Sequence, residues 1–255
     1  MPAGADGHEP FAGDPAYFRR ALAQPKDRWW ERFNRMPLDV LESVGTRRGM
    51  RLLDVGCNVG YFVALASRRG YRARGIDSSP AAVTAGRAAL GVDLVCAQIA
   101  TAPIEPESVD IVVLNHVLEH VPDPVQTIAA VRRWLVPAGW LLVSLPNFAS
   151  PVARWAGPRW NGLVADQHVW HFTPRALRGV LARATMVCVA SRTTMLVYVP
   201  ARPVDWVKWS VRRALEPLGL ADNLLVVARR PLDVRADDVV AHAAIGTVGS
   251  RGNAP

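Results

Sequence analysis

The chain has 255 residues, of which 50% are hydrophobic. This is enough for one α/β domain with a substantial core and too little for two large domains. A net charge of +8 leaves an anionic partner open. However, the arginines are scattered, and the sequence has no contiguous lysine-rich stripe and no appended RNA-binding module. We therefore expect no nucleic-acid partner.

Two features of the sequence indicate a cytoplasmic protein. No stretch approaches the roughly 18 to 20 consecutive apolar residues of a membrane-spanning helix, and the first residues lack the apolar run of a signal peptide. The three cysteines are widely spaced, which fits neither a disulfide framework nor a CxxC metal site. Residues 1–16 are rich in Gly, Pro and Ala and are predicted to form a disordered tail.

Residues 17–48 are predicted to form helices that cover the edge of a sheet. Apolar side chains recur at three- and four-residue steps from Leu22 to Leu41, which is typical of amphipathic helices. Pro37 lies inside this pattern, and proline interrupts helices because it lacks a backbone N–H. We therefore expect two helices with a break near Pro37.

From Arg51 the pattern changes to short apolar runs separated by segments of helical length. Such runs are typical of a parallel sheet that is covered on both faces. Five runs predict the first five strands: RLLDVG, YRARGID, DLVCAQI, VDIVVLN and WLLVSLPN. Residues 186–195 and 223–231 predict two more strands, the second of them as an antiparallel edge strand. The prediction is an α/β fold over residues 17–231, a doubly wound, mostly parallel seven-stranded sheet with helices on both faces, followed by a disordered tail at 232–255.

The first strand runs directly into a glycine-containing turn, DVGCNVGYF. Gly56 and Gly60 would let a ligand approach the backbone closely, and Asp54 can hold an ammonium group or an ordered water. Asp77, at the end of the second strand, can accept hydrogen bonds from both hydroxyls of a ribose. A nicotinamide dinucleotide usually needs three glycines over six residues, a spacing that GCNVGY lacks. The turn therefore disfavours a dinucleotide.

Four blocks in this order, DVGCNVGYF, GIDSSPAAV, PIEPESVDIVVLNHVLEHVPDP and GWLLVSLPN, resemble the class I S-adenosylmethionine-dependent methyltransferases. The resemblance runs from about Leu52 to Asn147 and is to the small-molecule and glycan methyltransferases in particular, whose turn reads DVGCGTG. It implies a Rossmann-like fold and S-adenosylmethionine as the methyl donor. Asn58 replaces the usual middle glycine, but asparagine also adopts left-handed backbone conformations. Gln98 replaces a frequent acid, and its amide oxygen can accept the same hydrogen bond from adenine.

The same resemblance implies a donor site spread over four strand ends. The glycine turn and the end of the fourth strand would surround the methionine part, the end of the second strand would bind the ribose, and the end of the third would flank the adenine. The implied residues are Asp54, Gly56, Cys57, Asn58, Gly60, Asp77, Ser78, Gln98, Ile99, Asn115 and His116.

The block NHVLEHVPDP raises the question of a metal site. His116 and His120 are four residues apart on a predicted helical turn with Glu119 between them, as in a two-histidine metal face. However, no third ligand has an obvious spacing. The resembled family explains the block as a cover over the donor, with Asp123 capping the next helix. We therefore predict no metal ion.

The segment ADQHVWHFTP supplies the candidate general base. An imidazole has a pKa near neutral pH and is suited to deprotonating a hydroxyl acceptor. His168 and His171 are three residues apart, Asp166 could orient one of them, and Thr173 is placed to cap the following helix. Histidines that merely tie this loop to the sheet explain the segment equally well. We predict His168 first and His171 second as catalytic residues.

Two further segments lie around the predicted site. Residues 148–172 carry aromatic and arginine side chains and are predicted to cover the active site, where they would suit an apolar or anionic acceptor. Residues 201–220 are predicted to form an amphipathic helical insertion, with the basic pattern centred on 204–218. Such a helix can lie on an anionic membrane, but ordinary cover helices and homodimer contacts show the same pattern.

The sequence therefore predicts a methyltransferase that acts at an oxygen of a small-molecule, glycan or lipid-linked acceptor. The net charge permits a second hypothesis, an RNA or protein methyltransferase. A third is a catalytically silent subunit that binds the donor and stabilises a partner. The intact Asp54, Gly56, Gly60 and Asp77 disfavour the third hypothesis, because a silent subunit does not need a working donor site.

Overall fold

The computed structural model of the protein describes Phe18, Leu22 and residues 28–160, 162–164, 167–195 and 214–232, with the backbone alone for 28–33. The predicted tails lie outside these residues apart from Leu232, as do residues 201–213 of the predicted insertion. In the part of that insertion that is described, Ala214 and Leu215 are helical and a turn follows. No helix in the described part of the chain is long and apolar enough to cross a membrane.

The predicted apolar runs form one seven-stranded sheet within the described residues. Its strands are β1 (Arg51–Val55), β2 (Arg72–Asp77), β3 (Leu94–Cys96), β4 (Val109–Asn115), β5 (Leu135–Pro146), β6 (Val187–Thr194) and β7 (Asn223–Arg229). They lie in the order β3-β2-β1-β4-β5-β7-β6. Strands β1 to β5 are parallel, and β7 is antiparallel to both of its neighbours. The doubly wound, mostly parallel fold is thus confirmed.

One feature of the predicted sheet is wrong: β7 is antiparallel but is not the edge strand. It lies between β5 and β6, and β6 forms the edge. Six of the seven residues of β7 are buried, which matches its continuous apolar sequence NLLVVA. Strand β6 has the more polar sequence VCVASRTT, and most of its side chains are exposed or half-buried. The more apolar strand therefore takes the internal position, where both faces are covered.

Helices cover both faces of the sheet. They are α1 (Arg28–Ser43), α2 (Tyr61–Arg68), α3 (Pro80–Leu90), α4 (Pro124–Trp134), α5 (Pro151–Ala156) and α6 (Pro174–Arg183). Neighbouring residues of β1 show the two layers: Leu52 packs in the cluster with α1 and α2, and Leu53 packs in the cluster with α4 and α6. Side chains alternate across a strand, so adjacent residues contribute to separate cores.

Four of the helices begin with the same sequence device, a capping residue followed by proline. Ser79, Asp123, Ser150 and Thr173 each accept a hydrogen bond from a backbone N–H in the first turn of the helix. Proline fits the next position because the N–H that it lacks would have no partner there. The caps predicted at Asp123 and Thr173 are thus confirmed.

The predicted break at Pro37 is wrong, because α1 runs through this residue. Leu38 and Leu41 are fully buried, in a cluster with Phe62 and the sheet residue Ile111. Their burial is worth roughly 1.5–3 kcal/mol each, which offsets the hydrogen bond that proline removes. Packing of the apolar face therefore keeps the helix in one piece.

Two helical glycines allow a matched test of how closely α3 packs on the glycine turn. A Cβ at Gly86 would lie 2.3 Å from the carbonyl oxygen of Val59, whereas a Cβ at Gly179 in α6 would meet nothing within 4 Å. We expect Gly179→Ala to raise the free energy of unfolding by about 0.5–1 kcal/mol, through helix propensity. Gly86→Ala should lower it by about 1–3 kcal/mol, because α3 must move.

Urea unfolding of the two variants beside the natural protein measures both changes. Equal stabilisation by both substitutions would show that α3 does not pack against the turn at Val59.

Candidate active site

The glycine turn connects β1 to α2 through three residues with left-handed backbone. The φ angles are 70° at Gly56, 52° at Asn58 and 80° at Gly60. The expectation that asparagine tolerates this conformation is thus confirmed. The backbone N–H groups of Gly56 and Cys57 both donate to the carbonyl oxygen of Ile76, at 2.8 and 3.0 Å. These bonds fix the turn against β2.

The two glycines of the turn are also required by contacts inside the protein. A Cβ at Gly56 would lie 2.6 Å from Cγ2 of Val117, and one at Gly60 would lie 2.8 Å from Cδ2 of Leu94. The sequence argument assigned both glycines to close approach of a ligand. In the structure, the side chains that they accommodate belong to the segment after β4 and to β3.

Asp77 is placed at the carboxyl end of β2, beside the turn. Its Oδ2 accepts a hydrogen bond from the N–H of Asn58 at 2.7 Å, and its Oδ1 accepts one from the N–H of Ser79 at 2.9 Å. Each carboxylate oxygen has two acceptor positions, so both oxygens can still accept from a ligand hydroxyl. The side chain therefore holds the turn through one oxygen and keeps acceptor positions on both.

Asp54 and Asn115 are polar residues near the ends of the adjacent strands β1 and β4, the first buried and the second half-buried. Asp54 is 3% exposed, and burial, with a further contribution from the charge of Asp77, raises the pKa of its carboxyl well above the ordinary value. Oδ1 of Asn115 is buried and has no hydrogen-bond partner among the described residues. A carboxylate and an unpaired carbonyl oxygen here fit the ammonium group of S-adenosylmethionine.

The remaining predicted donor residues divide into two groups. Ser78 and Gln98 are exposed and Ile99 is half-buried at the ends of β2 and β3, where the N–H of Ala97 donates to the carbonyl of Asp77 at 2.9 Å. The Cys57 side chain is instead buried in a core cluster, and burial raises the pKa of its thiol. Any contact of Cys57 with the donor must come from its backbone.

His116 lies in a bend directly after β4, and not in a helical turn as the sequence predicted. Its φ is 56°, and its N–H donates to the carbonyl of Ser144 at 2.8 Å. Its Nδ1 lies 3.0 Å from Oε1 of Glu119, whose side chain is 1% exposed. His116 is therefore held at the end of β4, as the donor-site prediction requires, and it is oriented by a buried carboxylate.

His168 lies against His120, a residue more than forty positions earlier. The two rings are 4.8 Å apart between centroids and meet edge to face at 73°. Nδ1 of His168 lies 3.0 Å from the carbonyl oxygen of Gly162, and Nδ1 of His120 lies 3.0 Å from that of Gln167. A carbonyl oxygen only accepts, so each Nδ1 carries a hydrogen, and in the neutral imidazole the lone pair is then on Nε2. Burial lowers the pKa of His168, against an opposing effect of the Glu119 charge.

The histidine segment is fastened to the turn after β4. The N–H groups of Val169 and Trp170 donate to the backbone carbonyl of Glu119 at 2.9 and 3.1 Å. Nε1 of Trp170 also donates to the carbonyl of Val121 at 3.0 Å. Nδ1 of His168 therefore holds the loop to itself through Gly162 rather than to the sheet, and Nδ1 of His120 joins the turn after β4 to the loop.

The second predicted catalytic residue, His171, does not join this cluster. It is exposed, and its ring lies 5.1 Å from that of Phe148. Asp166, predicted to orient an imidazole, lies outside the described residues. The sequence argument missed the pairing of His120 with His168, because side chains that are distant in the chain leave no spacing signal.

The predicted cover at 148–172 contains both buried residues, Trp160 among them, and exposed apolar side chains. Trp160 is 3% exposed, and its Nε1 donates to Oδ2 of Asp222 at 3.3 Å. Phe148, Trp155 and Trp170 are exposed, with Trp155 at 83%. Trp160 is therefore a packing residue, and the other three aromatic side chains can contact an acceptor or a partner.

Asp54→Asn is expected to stabilise the ligand-free protein and to weaken donor binding. At pH values between the ordinary aspartate pKa and the raised pKa of Asp54, the Asp54 carboxyl is protonated in the folded protein and ionised in the unfolded chain. The stability of the natural protein therefore falls as pH rises through this window, and the variant lacks that loss. Above the window, we expect a Tm about 2–4 °C higher for the variant.

Thermal unfolding at a series of pH values, with exposed Asp93→Asn as the control, measures this difference. The two Tm curves should converge at the acidic end of the series. A lower Tm of Asp54→Asn at every pH would contradict the inferred cost of ionising Asp54.

The chain is similar in sequence and in fold to known methyltransferases. A family profile described as a methyltransferase domain matches residues 27–190. The ubiquinone biosynthesis O-methyltransferase of Ralstonia nicotianae is 28% identical over 221 residues, which cover 80% of this chain and 90% of that protein.

Two solved structures share the fold. One is an S-adenosylmethionine-dependent methyltransferase from Mesorhizobium loti, with a TM-score of 0.57 at 21% identity, covering 77% of this chain and 98% of that one. The other is the Burkholderia thailandensis 1,6-didemethyltoxoflavin-N1-methyltransferase with bound S-adenosylhomocysteine, with a TM-score of 0.54 at 21% identity, covering 85% and 87%.

Proposed function

Because this chain belongs to the class I S-adenosylmethionine-dependent methyltransferases, we propose that it methylates a hydroxyl group of a small molecule with an apolar portion. We infer a hydroxyl acceptor from His168, whose Nδ1–H donates to a backbone carbonyl and whose Nε2 keeps a lone pair. The relative named as an O-methyltransferase supports transfer to oxygen. The exposed aromatic side chains of the cover support an apolar acceptor.

S-adenosylmethionine supplies an electrophilic methyl group on a sulfonium. We assign Asp54 and Asn115 to its ammonium group and Asp77 to its ribose, with Gln98 and Ile99 beside the adenine. These residues orient the donor by hydrogen bonds and charge, so that much of the rate comes from alignment. His168 Nε2 takes the proton from the acceptor hydroxyl as its oxygen attacks the methyl carbon.

The proposal also includes the role of the cover, the class of the acceptor and the contacts of the protein that the sequence predicts. The cover at 148–172 would exclude water from the acceptor, and its exposed Arg154 and Arg159 would suit an anionic group on it. A glycan or a lipid-linked intermediate remains a candidate acceptor on these grounds. We further propose that residues 204–218 contact a second copy of the chain or a membrane. We also propose that the protein is cytoplasmic.

Calorimetric titration with S-adenosylmethionine, S-adenosylhomocysteine and NAD, followed by an acceptor panel, tests the function. The panel contains phenols, an aliphatic alcohol, a glycan, a small RNA and a peptide. We expect micromolar binding of the first two ligands alone and methylation of a phenol. Methylation of RNA or peptide alone would overturn the proposed acceptor, and donor binding without any methylation would support the silent-subunit alternative.

A further inference from the structure

We propose that Glu119, His120 and His168 bind one zinc ion beside the acceptor. The proposal concerns a cluster that the sequence argument rejected, because no third ligand had a recognisable spacing. The fold supplies that ligand by placing His168 against His120. One potential ligand atom from each of the three residues lies within 4.8 Å of the other two.

The carboxylate of Glu119 is the first argument for a cation. The residue is 1% exposed, and Oε1 is engaged by Nδ1 of His116 at 3.0 Å. Oε2 is buried and has no hydrogen-bond partner among the described residues. An unpaired carboxylate oxygen in a protein interior is costly, and coordination to a cation removes that cost.

The orientation of the two imidazoles is the second argument. Both Nδ1 atoms lie 3.0 Å from backbone carbonyl oxygens, those of Gln167 and Gly162. Histidine ligands of metals are usually oriented in this way, with the second nitrogen donating to a carbonyl or carboxylate. Each Nε2 therefore has its lone pair available for an ion.

The ligand set selects zinc rather than magnesium or calcium. Two imidazoles and one carboxylate are a common set at catalytic zinc sites, which keep a fourth position open. Ligand atoms around a tetrahedral zinc ion are about 3.3 Å apart, whereas these atoms lie within 4.8 Å of one another, so the side chains must close by up to about 1.5 Å. The backbone bonds from Val169 and Trp170 to the Glu119 carbonyl hold the two segments together while they do so.

This inference rests on the proposed function for the position of the acceptor, and it replaces the role of His168 as the base in the metal-bound protein. A nitrogen lone pair can hold either a proton or a metal ion, so His168 cannot serve as the base while zinc is bound. Coordination of the acceptor hydroxyl would instead lower its pKa, and the proton would pass to water. The new O–CH₃ bond forms as the S–CH₃ bond breaks, so no further reactant is needed. The acceptor class is then a phenol, the hydroxyl most readily ionised in this way.

Zinc titration of chelator-stripped full-length protein, with Co²⁺ absorption as a second readout, tests the site. We expect one equivalent of zinc with a Kd in the micromolar range or tighter, and the visible spectrum of tetrahedral Co²⁺. His120→Gln and His168→Gln should each weaken binding at least 100-fold, while His171→Gln leaves it unchanged. Unchanged binding of S-adenosylmethionine shows that each variant is folded.

Equal zinc affinity in all three variants, or no binding by the natural protein, would overturn the site. Turnover of a phenol by the stripped protein at the full rate would overturn the role of zinc in transfer while leaving the proposed function intact. Zinc binding with the expected variant pattern but no methylated phenol would support the site and contradict the proposed acceptor.

Discussion

His168→Gln is expected to lower the turnover number of the metal-free protein about 10²- to 10⁴-fold, with unchanged affinity for S-adenosylmethionine. Glutamine keeps the polarity and most of the length of histidine, although its amide nitrogen lies nearer the position of Nε2 than that of Nδ1, which contacts the Gly162 carbonyl at 3.0 Å. It has no basic nitrogen in place of Nε2, so it cannot take the proton of the acceptor. Steady-state kinetics in the presence of a chelator, with calorimetry for the donor, measures both quantities.

His171→Gln is the matched control, because His171 lies in the same segment but is exposed beside Phe148. Its turnover should change less than about threefold. Normal turnover of His168→Gln would make the assignment of the base wrong. A parallel loss of donor affinity would indicate that His168 only ties the loop to the sheet.

Asp77→Ala is expected to weaken binding of S-adenosylmethionine and S-adenosylhomocysteine at least tenfold, a loss of about 1.4 kcal/mol or more. The substitution removes the acceptor for the ribose hydroxyls. It also leaves the N–H groups of Asn58 and Ser79 without the carboxylate to which they now donate. Both effects act on the donor site, so calorimetric titration should show the loss with either ligand.

Asp93→Ala is the control for this loss, since its exposed side chain precedes β3 at the opposite end of the sheet. Donor affinity should be unchanged there. Asp77→Asn keeps one oxygen acceptor and should fall between Asp77→Ala and the natural protein. Equal affinity in all of these proteins would remove Asp77 from the donor site.

The sequence was informative about the fold wherever local pattern and tertiary structure agree. The runs of β1, β4 and β5 are largely apolar because helices cover both faces, so each of these runs is readable by itself. The position of β7 was predicted wrongly because the last strand in the chain was assigned to the edge of the sheet, although its sequence LLVVA is more apolar than that of β6 and indicates an internal strand. Pro37 misled because the burial of Leu38 and Leu41 outweighs a local preference.

The donor site was easier to anticipate than the acceptor side. Asp54, Gly56, Gly60 and Asp77 lie at strand ends, and parallel strands bring their ends to one edge of the sheet. The contact of His120 with His168 depends instead on how an irregular segment folds back onto the turn after β4. No periodicity governs such a segment, so only the structure brings the two histidines together.

The internal position of β7 has a consequence for synthesis on the ribosome. Strand β6 pairs only with β7 within the described sheet, and β7 is the last strand to be translated. A nascent chain that has already emerged as far as Thr194 therefore holds β6 without a partner and leaves the outer side of β5 open. The β5 side of the sheet closes only when residues 223–229 leave the exit tunnel, so this half of the domain cannot complete its sheet before then.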